Sequence, residues 1–164
     1  MKKNDYMGFQ LVSFIIMVLV FVSYVSFIWI KYGVQSSISA SYYALPKQYN
    51  FLFTLFCWGF AIPAIIAGID VTPLIFFAGA GICFVGAAAQ INDSWIYKIH
   101  AAAAIAGVGF SQLAILFGYN MWHVNAISAS LMILIGLLLK KNKTWWIELV
   151  AFSAIVYTIG ASIF

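Results

Sequence analysis

Six long apolar runs, separated by short polar breaks, leave this chain little choice of fold. They cover about 7–30, 51–69, 72–91, 99–118, 121–139 and 145–164. A helix crosses the hydrocarbon core of a bilayer in about 20 apolar residues, and all six runs come close to that length. In lipid a helix satisfies its own backbone hydrogen bonds, whereas an irregular chain leaves them open. The breaks "LPKQYN", "GIDVTP", "QINDSWIYK", "GYNMWHVN" and "KKNKT" carry turn chemistry and leave no room for a soluble domain. The expected fold class is all-α: a polytopic transmembrane helical bundle, six membrane-spanning helices with short loops, forming one domain over 1–164.

Composition excludes the soluble alternatives. Only 7% of residues are charged and 65% are apolar, where a soluble domain of this size carries roughly a quarter charged residues. The mean hydropathy of +1.05 agrees. All eight cations are lysines, which fall at the ends of apolar runs as interfacial anchors. Without arginine there is no bidentate reader of phosphate or base edges, so no nucleic-acid partner is expected. Cys57 and Cys83 lie inside runs without a CxxC spacing and read as small hydrophobes. The first run is too long for a signal-peptide core and lacks a small-residue cleavage site, so it reads as a retained helix.

Local features refine the spans. Pro63 lies inside the second run and is expected to kink it, while Pro73 sits where a first helical turn tolerates proline. Gly79, Cys83 and Ala87 recur every four residues, as do Ala103 and Gly107. Such stripes let backbones approach closely, so the third and fourth spans are expected to pack tightly, within one chain or between two copies of a homo-oligomer. Trp95, Tyr97, Trp145 and Trp146 read as an interfacial aromatic belt.

Six crossings put both termini on one side, here side A. Side B then receives six lysines against two, which places side B in the cytoplasm by the positive-inside rule. The membrane is expected to be a bacterial inner membrane or its equivalent.

Polar chemistry converges on side B from three distant connections. The first is "SSISASYYALP", with Ser36, Ser37, Ser39, Ser41, Tyr42 and Tyr43. The second brings Gln90, Asn92, Asp93 and, at the start of the fourth span, His100. The third brings Glu148, about one turn into the sixth span. An ionisable residue within a span is costly and is a functional hypothesis by default. Ser37, Ser39, Ser41, Tyr42, Gln90, Asp93, His100 and Glu148 are therefore the candidate ligand-binding set. His100, Asp93 and Glu148 are the catalytic candidates, able to run acid–base chemistry with a serine or water as nucleophile. The plainer readings are that Glu148 pairs with a lysine, His100 is an interfacial hydrogen-bonding residue, and Asp93 caps a helix.

Only two histidines exist, and His123 falls on side A with Asp70, Tyr119, Asn120 and Asn125. A three-histidine zinc site is excluded. No metal and no cofactor is expected.

The stretch "SISASYYALPKQYNFLFTLFCWGFAIPAIIAG" is similar to the start of the DRAM-type six-helix membrane proteins and related bacterial families of unknown function. There a first span leads through a Ser-containing segment and a proline into an aromatic-rich second span. The resemblance covers the first two spans and implies six helices. It places the polar segment outside, against the lysine count, and carries no functional residue over.

Three functional readings follow. The leading one is a small integral membrane protein whose one-sided polar pocket binds a lipid headgroup or small polar ligand. The second is a membrane-embedded hydrolase or transferase acting on a lipid, which requires His100, a carboxylate and a serine to meet. The third is an accessory protein that binds other membrane helices through its Gly/Ala faces.

Overall fold

The computed structural model describes residues 3–89 and 94–164, with side chains from Met7 onward. Every apolar run folds as a helix, and there is no strand among the described residues. The helices are α1 (Lys3–Tyr32), α2 (Ser41–Ala44), α3 (Phe51–Gly68), α4 (Leu74–Ala87), α5 (Ser94–Leu113), α6 (Trp122–Leu138) and α7 (Lys143–Ile163). A wide π turn, Ala114–Gly118, prolongs α5.

Four segments are long and apolar enough to cross a membrane: Met7–Tyr32, Lys47–Gly68, Ser94–Gly118 and Lys143–Ile163. α4 and α6 are apolar but shorter, with 14 and 17 residues. At 1.5 Å per residue they reach roughly 21 and 26 Å against a core of about 30 Å. The outer surface is greasy. Phe9, Leu19, Phe84, Ile105, Phe117, Ile133 and Leu137 are all more than half exposed, which only a lipid environment accommodates at this density. This is a membrane-embedded helical protein.

The helices pack as a ring with one outlier. α3 packs between α1 and α4, α4 packs on α5, and α7 closes the ring against α5 and α1. α6 lies outside, against α7 and the π turn. Gln112 of α5 ties it in: its side-chain carbonyl accepts from Asn125 at 3.0 Å and Ser128 at 2.9 Å. Hydrogen bonds of this kind hold helices together where lipid supplies no hydrophobic drive.

The tight α4–α5 contact is present on the expected Ala103/Gly107 stripe of α5, but on α4 it falls at Gly81 rather than at Gly79. A Cβ on Gly81 would lie 2.6 Å from the Gly107 nitrogen and 2.8 Å from the Ala103 carbonyl oxygen, so the two backbones touch there. Gly79 is turned instead onto Ile65 of α3, and Ala87 is exposed. Pro63 is buried within α3, which continues as a helix to Gly68.

Candidate functional site

α1 ends at Gly33, whose φ of +74° is the left-handed conformation that stops a helix and that glycine adopts without strain. Gln35 Nε2 donates to the orphan carbonyls of Tyr32 (2.7 Å) and Gly33 (3.1 Å). The chain then turns across the bundle and runs along the first turns of α7. Asn142 Nδ2 donates to the Val34 carbonyl at 3.1 Å, and the Trp145 N–H donates to the Ser36 carbonyl at 3.2 Å. The Ile38 N–H donates to the Glu148 carboxylate. Every second residue of the segment thus meets every third of α7, where positions 142, 145 and 148 share one face.

This strapping corrects one expectation. Trp145 is not part of an aromatic belt: it is fully buried, because the segment covers the start of α7. Trp95 and Tyr97 are exposed as a belt requires, and Trp146 is half-buried edge-on to Trp29.

The serines of the segment are largely spent on its own shape. Ser37 Oγ accepts from the Ala40 N–H and bonds Ser39 Oγ, both at 2.9 Å. Ser41 is fully buried and donates to the Ile38 carbonyl. With that proton committed, the Tyr24 hydroxyl donates to Ser41 Oγ at 2.6 Å. Tyr42 packs its ring against Tyr43 and Phe53.

Beneath the segment lies an interhelical cavity of about 60 Å³. Each of four helices gives it one face at helical spacing. α3 contributes Phe53, Phe56, Cys57, Phe60 and Ala64, and α4 contributes Ile75, Ala78, Gly79, Ile82 and Val85. α5 contributes Ala104, Gly107, Val108 and Ser111, and α7 contributes Glu148, Ala151, Phe152 and Ile155. Ile38 and Ser39 form the roof. The span from Phe53 to Ala64 corresponds to roughly 16 Å along a helix axis, so the cavity is a narrow slot. Its walls are apolar, and among the described residues Glu148 is the one carboxylate lining it.

The structure therefore brings Ser39 and Glu148 together, with Ser37 and Ser41 shaping the roof. His100 is placed elsewhere. It is buried at the start of α5, where its Nδ1–H donates to the Ala88 carbonyl at 3.0 Å, and it does not line the cavity. Its visible work is to satisfy a carbonyl just past the end of α4. Gln90 and Asp93 lie outside the described residues. Among the described residues no three His, Cys, Asp or Glu side chains gather closely enough to hold a metal ion. Cys57 and Cys83 are free thiols.

A second depression, about 420 Å³, lies between α6 and α7 and is lined by residues such as Ile127, Leu131 and Tyr157. His123 lines it, but among the described residues it holds no carboxylate, so the buried carboxylate favours the smaller cavity.

Compared with family models, characterised proteins and solved structures, the chain finds no match. The functional reading rests on the Glu148 site alone.

Sequence reasoning pointed to Glu148 and Ser39 but not to Tyr24, Phe56, Phe60 or Phe152. Their signal was hidden because spans that are apolar all round show no stripe to mark the inner face.

Proposed function

We propose that this chain is a small six-span membrane protein that binds a small polar or amphiphilic molecule in the slot under the Ser36–Ser41 strap. The observation that carries this reading is the Glu148 carboxylate set into an apolar interhelical cavity and covered by a dedicated segment. Membrane proteins place such groups on ligand and ion paths. Size supports a small ligand over a whole lipid headgroup: about 60 Å³ is less than half of the roughly 150 Å³ cavity that takes up benzene.

The DRAM-type resemblance supports six crossings, with α4 and α6 as the short ones and local bilayer thinning absorbing the mismatch. The lysine count supports a cytoplasmic side B in a bacterial inner membrane or its equivalent. Association of copies through small residues belongs to the same proposal and has the outer α5 face of Ala102, Ile105 and Gly109 to use, since Gly81 and Gly107 are consumed within the chain.

Cavity filling tests the binding reading. Ala104→Leu pushes a larger side chain into the slot without touching Glu148. In a thermal-shift screen of small cations, anions and neutral molecules, at least one compound is expected to stabilise the wild-type protein and to leave Ala104→Leu unmoved. Equal responses from both proteins, or no response from either, would overturn the reading.

A further inference from the structure

We infer that the slot selects a small alkylammonium ion, with its charged head between Glu148 and the Phe152 ring and its alkyl part along the apolar slot; the inference rests on the binding reading above. The first argument is charge. Among the described residues no lysine or histidine lines the cavity, and the donors to the Glu148 carboxylate are the N–H groups of Ile38 and Ser39. A carboxylate offers about four lone-pair positions, so about two stay open for a ligand's N–H groups. Anionic ligands are repelled by the same group. Neutral ligands supply no counter-charge, and a carboxylate alone in a low-dielectric slot takes up a proton instead, so a cationic ligand is the one that holds it ionised.

The second argument is the wall. Phe56 and Phe60 of α3 and Phe152 of α7 line the slot and form one cluster, with Phe152 centroids 5.6 Å from Phe56 and 4.7 Å from Phe60. Phe152 is one helical turn from Glu148 and on the same face of α7, so ring and carboxylate serve the same end of the slot. Aromatic faces attract ammonium groups through the ring quadrupole, most strongly when both are removed from water. A carboxylate beside clustered phenylalanines is the composition that recognises an organic cation, and a volume of about 60 Å³ limits the alkyl part to a few carbons.

The test uses three probes of one shape on the full chain in lipid nanodiscs: propylammonium, propanol and propionate. The readout is the amide NMR shift of Ile38 and Ser39, whose N–H groups face the carboxylate. Propylammonium is expected to bind at least tenfold more tightly than propanol, with propionate weakest. Glu148→Gln should abolish the preference for propylammonium over propanol. Phe152→Leu keeps the carboxylate, and should weaken propylammonium roughly three- to thirtyfold and propanol by less. This second variant decides the matter if Glu148→Gln fails to fold.

If propanol binds as tightly as propylammonium, or both variants keep the cation preference, the ammonium assignment is overturned. Binding that Ala104→Leu blocks would then leave the cavity reading standing. If none of the three probes moves the Ile38 and Ser39 amides, the ammonium assignment falls, and the cavity reading is judged by its own screen.

Discussion

Tyr24 and Ser41 show how a hydroxyl pair can organise a membrane protein. Tyr24 lies within α1, stacks on Phe56 at 4.4 Å, and donates to a serine that in turn donates to the Ile38 carbonyl. The amide of Ile38 meanwhile holds Glu148. Two spans and the strap are thereby tied through one residue. Tyr24→Phe removes the first bond and keeps the ring, so its cost should be about 0.5–1.5 kcal/mol. A reversible unfolding titration in mixed micelles measures it. The double variant with Ser41→Ala should cost clearly less than the sum of the two single changes, and strict additivity would show that the pair does not interact. Tyr119, just past the π turn, is a different case: burial pushes its phenol up, its hydroxyl has no partner among the described residues, and it packs close to Gly68. The serine count in "SSISASYYALP" was legible from the sequence. Which hydroxyl would be spent on the turn, and which would face a cavity, depended on a tyrosine 17 positions away.

Elements were legible where composition alone decides them. Six helices follow from six apolar runs; the additions are short, the single turn α2 in the strap and a 3-10 turn at Lys47–Tyr49 just before α3. Faces were not legible, because apolar helices present the same chemistry to lipid and to protein. The α4–α5 contact makes the point: small residues recur at several registers, and close backbone approach selects Gly81 against Gly107 and Ala103. This gives a paired prediction. Gly81→Leu drives a side chain into backbone that has no room to yield, and should cost at least about 2 kcal/mol. Gly109→Leu on the open side of α5, where a Cβ meets nothing within 4 Å, should stay within about 0.5 kcal/mol. Similar losses in the two variants, followed by unfolding in micelles, would contradict the assigned packing.

For the whole molecule, the strap matters because it joins the end of α1 to the start of α7, closing the ring around the slot. The span count predicts that polar residues from three distant connections gather at one end of the bundle. Of those described, Glu148 and Ser39 share one cavity, whereas His100 sits at the α4 terminus, where an orphan carbonyl takes its hydrogen bond. The proposed six crossings would put Asn120 and Asn142 on opposite membrane faces. Single cysteines at these positions, in a background lacking Cys57 and Cys83, should label from opposite sides with a membrane-impermeant reagent. Labelling from one side would mean that α6 does not cross.

The most direct test of the central claim is a crystal structure grown in a lipidic phase with propylammonium. Ligand density is expected between Glu148 and Phe152, with the Ile38 N–H still on the carboxylate. An empty slot with Glu148 turned away from the roof would contradict the account.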